Sequence, residues 1–265
     1  MRFDYHMHTP LCHHAEGHPS EYVAVAKKRG LDEIGFADHN PMPEQFDDWR
    51  MGPDELPKYI QLVDEARLVH PDFKIRLGLE CDYIKGYESH IKDLASQYPF
   101  DYFIGSVHYI QEDWDVDNPH KLSRWNDYAV EDVWKMYFAC YRDAASSGLF
   151  DFLGHPDLVK KFARCPHGDL KSYYREALDA IADCRMTIEI NTAGWYKDIK
   201  ESYPSLAFLE EAFEREIPIL INSDAHKPDE VGRDFVKAAK LAWSLGYREI
   251  TQFVQRESIS VPLSI

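Results

Sequence analysis

The sequence predicts an α/β protein whose repeated βα units close into one barrel. Three observations point there. Short β-rich apolar runs alternate with longer amphipathic runs seven or eight times along 265 residues. Such alternation implies parallel strands covered by helices. The length is ordinary for a single α/β barrel, so 1–265 reads as one domain. Finally, metal-ligating and acid–base side chains recur at the end of almost every expected strand. In a parallel barrel those ends converge on one face.

The elements follow in order. Residues 3–5 begin the first strand. Ser20 is positioned to cap a helix reaching Arg29, with Gly30 just past its end. Residues 34–37 are apolar and bounded, the pattern of a buried strand. A helix with Pro57 in its first turn runs to His70, before Pro71. Strand 75–79, helix 88–97 and strand 102–107 come next. The long helix 130–146 stops short of Gly148, and strand 150–153 follows. Helix 170–183, strand 187–190, helix 205–215 and strand 217–221 continue the alternation. Helix 229–244 and a final strand at 249–253 end it.

Charge narrows the partners. Thirty Lys and Arg stand against 46 Asp and Glu, a formal net charge of −16. That surface repels nucleic acid and anionic membranes. A phosphate site on such a chain needs concentrated local positive charge, which metal ions can supply. The five cysteines are scattered and odd in number, which favours reduced thiols over a disulfide framework. The start, MRFDYHMH, has no charged-then-apolar leader, and no apolar run approaches a membrane span. A cytoplasmic protein with no membrane partner is expected.

The strand ends carry the chemistry. The expected strands end in His6 and His8, Asp38 and His39, Glu80 and Asp82, His108, His155, Glu189 and Asn191, and Asp224 and His226. In a strand, residues i and i+2 point the same way, so His6 and His8 can grip one cation. Asp224 and His226 can do the same from a strand that a barrel brings beside the first. The stretch DYHMHTPLCHHAEGH alone holds five histidines, two carboxylates and a cysteine. One histidine at a strand end is ordinarily a packed, hydrogen-bonded residue. Histidine at five strand ends, with Glu80 and Asp224 among them, is not what core packing produces, because unpaired buried polar groups are costly. The joint pattern reads as a metal centre.

The motifs HMHTPLCHH, FADHNPMP, GLECDY, GSVHY, FLGHPDLVKKF, INTAGW and NSDAHKPDEVG occur in this order from Asp4 to about Gly232. Together they resemble the PHP (polymerase and histidinol phosphatase) family, and more narrowly its monofunctional histidinol-phosphatase branch. HxH and SDAH are shared across the superfamily, whereas the HTPLCxH, DHxPMP, IGSVHY and KKF pieces are more specific to the branch. The resemblance implies a distorted (β/α)7 TIM-like barrel holding two to three divalent transition metals at the C-terminal strand ends. Zinc, iron and manganese all suit a mixed set of histidines and carboxylates.

Carried over residue by residue, one metal takes His6, His8, Glu80 and Asp224. A second shares Glu80 and takes His108 and His155. A third takes His39 and His226 with a ligand from the loop after the first strand, either His14 or Glu16. His13 is expected in solvent and Cys12 as a packed thiol. Asp4 either orients an imidazole or binds backbone.

The implied reaction is hydrolysis of a small phosphomonoester, L-histidinol phosphate. Glu80 bridges metals, and Asp224 also accepts a proton from the attacking water. Lys161 and Lys197 bind phosphate. Relatives often carry arginine where Tyr196 stands, which removes a bidentate donor unless Arg164 folds inward. Asp38, Asp82 and Glu16 are candidates for the substrate's ammonium. Trp195, Tyr83 and Tyr109 are candidates to stack on its imidazole, with lid packing the other reading of Trp195. Competing readings are a phosphoesterase for another monoester or a nucleotide, an amidohydrolase-like barrel, and a metal-stabilised binding protein without catalysis.

Overall fold

Seven strands lie side by side in chain order in a computed structural model of the protein, which describes residues 2–111 and 113–265. They are β1 (Phe3–Asp4), β2 (Glu33–His39), β3 (Lys74–Asp82), β4 (Tyr102–Ser106), β5 (Phe152–Leu153), β6 (Thr187–Asn191) and β7 (Ile219–Asn222). Every neighbouring pair is parallel. Each strand leads to one helix: α1 (Pro19–Arg29), α2 (Leu56–Val69), α3 (Glu88–Gln97), α4 (Val130–Ser146), α5 (Lys171–Asp183), α6 (Leu206–Glu214) and α7 (Phe235–Leu245). This is the expected βα barrel. β2 is buried at every position, as a strand covered on both faces must be.

Closure of the ring is irregular. β1 is two residues long and cannot build a ladder to β7. Met7 instead makes a single parallel bridge to Ala225. His8 N donates to the Ala225 carbonyl at 2.9 Å, and Ala225 N donates to the His6 carbonyl at 3.0 Å. The seam of the barrel therefore lies where the HxH and DAH segments meet. Inside, the Tyr102 ring stacks on Tyr5 at 5.0 Å, and its hydroxyl donates to the Tyr5 carbonyl at 2.7 Å. Gly35 and Gly78 make that crossing possible, since a Cβ at either would overlap the ring.

The final expected strand is real but lies outside the barrel. β8 (Glu249–Val254) pairs antiparallel with β9 (Glu257–Pro262). The hairpin covers the N-terminal end of the barrel, where Phe253 stacks on Phe152 and Gln252 Nε2 donates to Glu33 at 2.8 Å. Two local expectations also change. His18, not Ser20, caps α1: its ring accepts from Ser20 N, and Glu21 closes the capping box. The last helix starts at Phe235 rather than 229. Pro228–Glu230 winds a separate 3-10 turn, and Asp234 adopts a left-handed backbone that breaks continuity. Among the described residues no helix is long and apolar enough to cross a membrane.

Candidate metal centre

The C-terminal strand ends converge on Glu80, which is buried on β3. Five histidines from four strand ends face its carboxylate. His155 Nε2 lies 2.8 Å from Oε1 and His108 Nε2 3.7 Å from it. His39 Nδ1 lies 2.8 Å from Oε2, with His6 Nε2 at 3.3 Å and His8 Nε2 at 3.5 Å. Asp224 closes the same group, its Oδ1 3.3 Å from His8 Nε2 and 3.8 Å from His6 Nε2. Burial alone would raise the Glu80 pKa, but the surrounding imidazoles, His6 foremost, hold it well below the usual carboxylate range.

The backbone is bent to present these groups. His6 and His8 leave β1 on the i, i+2 alternation while Met7 turns to the Ala225 bridge. His155 and Asp224 both sit at positive φ, 24° and 53°. That conformation is uncommon for residues other than glycine and occurs here at two candidate ligands.

A set of carboxylates and carbonyls fixes the rings from behind. His6 Nδ1 meets Glu189 Oε1 at 2.8 Å, and His108 Nδ1 meets Asp82 Oδ1 at 2.8 Å. His14 Nδ1 contacts the Cys12 carbonyl at 2.6 Å, and His226 Nδ1 the Asp224 carbonyl at 3.0 Å. With these Nδ1–H groups donating backward, the Nε2 lone pairs point into the site. The fit to metal ions follows from what these atoms lack. Among the described residues, buried His6 Nε2, His8 Nε2, His39 Nδ1, Glu80 Oε2 and His155 Nδ1 have no hydrogen-bond partner. His14 Nε2 and His226 Nε2 face each other at 3.0 Å. Burial holds both of these rings below the usual histidine pKa, so two lone pairs would oppose one another unless a cation lies between them. Triplets such as His6–His8–Asp224 and His8–His39–His226 bring one ligand atom each within 4.8 Å of one another.

Nine of the ten metal-ligand candidates thus share one cluster. Glu16 does not: its side chain is 71% exposed and pairs with Lys227 at 3.0 Å, because its loop turns outward there. The same exposure removes it as an ammonium site. Asp4 takes the backbone role, accepting from Ser223 N at 3.0 Å and Gly232 N at 2.9 Å. Asp38 and Asp82 face histidines and so are spent: Asp38 accepts from Thr9 N, and Asp82 also binds Arg50. Cys12 is buried, yet its sulfur comes within 4.8 Å of ligand atoms of His14 and His226.

Above the cluster opens a cleft of about 520 Å³, within the range of small-molecule sites. Lys161 and Lys197 both line it. Lys161 Nζ bonds Asp117 Oδ2 at 2.8 Å; despite its burial, Asp117 is lowered to about 2 by this lysine. Lys197 makes no ion pair among the described residues. Burial, then the charge of Lys161, lowers its pKa. Lys160 is instead locked in the wall by Asp157 and Glu201. Arg164 lies over Trp125 and does not line the cleft. Trp195 lies under Lys237, and Tyr83 packs toward Phe150, so neither ring reaches the cleft. Tyr109 stacks behind Trp49, which itself lines the cleft edge-on to His39 at 4.7 Å.

Several site residues carried no clear signal in the sequence. Glu189 was visible as a strand-end carboxylate but had no assigned partner; only the barrel brings it to His6. Trp49 and Asp117 come from irregular loops and Asp115 from a two-residue strand of a small hairpin outside the barrel, where neither period nor spacing marks them. Arg233 also lines the cleft.

A PHP domain model matches residues 4–193. The chain is 40% identical over 253 residues to the probable histidinol-phosphatase of Deinococcus radiodurans, covering 94% of this chain and 95% of that one. It is 29% identical over 262 residues to the histidinol-phosphatase of Bacillus subtilis, covering 86% and 95%. The fold superposes on the crystal structure of histidinol phosphate phosphatase from Lactococcus lactis, described as complexed with zinc, L-histidinol and phosphate. That match has a TM-score of 0.79 at 24% identity and covers 97% of this chain and 98% of that one. With the barrel, the histidine–carboxylate cluster and these matches in agreement, the chain belongs to the PHP domain family, in the branch of the histidinol-phosphatases.

Proposed function

We propose that the protein is a metal-dependent phosphomonoesterase that hydrolyses L-histidinol phosphate to L-histidinol and phosphate. The observation that carries this reading is the set of buried ligand atoms without partners beneath a cleft lined by lysines. Three groups of residues suit divalent ions: His6, His8, Glu80 and Asp224; Glu80, His108 and His155; and His14, His39 and His226. Zinc, iron and manganese all match this donor set. When bound, such ions supply Lewis acidity, which ionises water near neutral pH and shields phosphoryl oxygens.

The chain's own residues do the rest. Glu80 offers one oxygen to each of two neighbouring groups of histidines, so it can bridge. Asp224 Oδ2 accepts from Asn191 Nδ2 at 3.2 Å, which steers the carboxylate so that Oδ1 faces the cluster. It is placed to take the proton of the attacking water. Lys161 and Lys197 neutralise the phosphate dianion. Asp117 and Asp115, though paired with Lys161 and Lys121, keep the same cleft wall acidic toward the substrate's ammonium, and Trp49 offers a flat surface to its imidazole. The acidic surface and small cleft favour a small ester over nucleic acid, and a cytoplasmic location suits the free cysteines.

The test is phosphate release from L-histidinol phosphate, beside a panel of small phosphomonoesters and a nucleotide monophosphate, with manganese or zinc added. Strong preference for histidinol phosphate is expected, with two to three metal equivalents by elemental analysis. Equal rates across the panel would leave a general phosphoesterase. Metal-loaded protein inert toward every ester would overturn the reading.

A further inference from the structure

A third cation completes the cleft wall. Arg233 lines it together with Lys161 and Lys197. It lies in the segment before α7, and its guanidinium stacks over the Tyr196 ring at 4.2 Å. The Tyr196 hydroxyl donates to Asp234 Oδ2 at 2.6 Å, which holds the ring in place. Glu230 takes a single guanidinium nitrogen, Nη1, at 2.8 Å. The other oxygen of Glu230 accepts from His226 N at 2.8 Å, so the arginine is tied directly to the DAH turn.

Two features separate this arrangement from a plain loop anchor. Arg233 Nε is buried with no hydrogen-bond partner among the described residues, which a purely structural arginine would avoid. Three like charges also meet around one cleft in a chain whose net charge is −16. Lys161 and Arg233 each hold a single carboxylate, Asp117 and Glu230, and Lys197 makes no ion pair among the described residues, so the trio keeps positive charge to offer an anion. A stacked guanidinium keeps its plane fixed and its edge open, the geometry that suits a planar fork on phosphate oxygens.

We propose that Arg233 is a phosphate-binding residue of this site, held in the cleft by stacking on Tyr196 and by Glu230; this rests on the phosphomonoesterase reading above. Tyr196, which stands where the family resemblance expects arginine, then serves as the platform for an arginine delivered from a different strand end.

The test uses metal-loaded full-length protein and inorganic phosphate, with binding measured by calorimetry. Arg233→Met is expected to weaken phosphate binding about tenfold or more, with metal content and thermal midpoint unchanged. Arg233→Lys keeps the charge but loses the fork and should fall between. Tyr196→Leu should weaken binding less than Arg233→Met. The fold-loss in kcat/KM should be equal for L-histidinol phosphate and for p-nitrophenyl phosphate, since the contact is to the shared phosphoryl group. Phosphate affinity within twofold of wild type would overturn the proposal and return Arg233 to a loop anchor. If Arg233→Met does not fold, Arg233→Lys decides alone, and wild-type affinity there overturns it. Should wild type bind phosphate but leave histidinol phosphate intact, the substrate reading fails while weakened binding in the variants still supports Arg233.

Discussion

The two ends of the barrel both bury carboxylates, and they satisfy them in opposite ways. At the N-terminal end, Glu33 is fully buried, yet Tyr5, Gln252 and Arg76 all reach it, with Arg76 Nη2 at 3.1 Å. Arg76 also contacts Asp101, and none of these side chains has an orphaned buried atom. At the C-terminal end, Glu80 is equally buried, and Ser106 and His155 reach its Oε1, but its Oε2 and the facing His6 Nε2, His8 Nε2 and His39 Nδ1 have no hydrogen-bond partner among the described residues. A closed network is a structural device. An open one, at the face where barrels keep their active sites, is a place built for ions that the chain does not itself provide.

The sharpest way to break the contrast is Glu80→Gln. It should lose metal and lower kcat/KM by about a thousandfold or more, read by elemental analysis and phosphate release. Retained turnover with full metal content would show that Glu80 is not the hub. The mirror experiment is Glu33→Gln at the other end. Breaking that network should cost about 3 kcal/mol of stability in denaturant unfolding while leaving metal content intact. Metal loss in Glu33→Gln would mean that the two ends are not independent.

A finer probe is Glu189→Gln, which leaves every candidate ligand in place and changes the carboxylate that orients His6 and accepts from His155 N, Asn191 and Asn222. Metal affinity or activity should fall about 10- to 100-fold, by competition with a chelator and by kcat/KM. No change would reduce Glu189 to a packing residue. The smallest effect concerns pH. Burial and the neighbouring Lys161 lower the Lys197 pKa, so the free site loses this charge at a lower pH than an ordinary lysine does. The alkaline limb of kcat/KM should therefore move to higher pH in Lys197→Arg, whose guanidinium stays charged. Coincident limbs would remove Lys197 from phosphate binding.

Much of this is legible in the sequence. The strand-end histidines announce themselves because period-two alternation and apolar runs are local properties. His6, His8, His39, His108, His155, Glu80, Asp224 and His226 all follow from reading where strands stop. The strand at 249–253 marks the limit of such reading: a short β-rich run says strand, but not which sheet it joins. Helix α7 began late because a turn after Pro228 competes with helix propensity, and that contest is settled by packing.

By itself the sequence determined the alternation, the candidate ligands at the strand ends and the demand for metal, because each is written in spacing and residue type along the chain. It left open between His14 and Glu16, between Arg164 and no arginine at all, and among several acids for the cleft wall. Those choices depend on which way a loop turns, and loops have no period to read. Tertiary structure decided them. The irregular seam at Met7 and Ala225 sets His14 against His226 at 3.0 Å and sends Glu16 outward. The segment before α7 brings Arg233 over Tyr196. Residues far apart in sequence meet only once the ring closes, and no local pattern encodes that meeting.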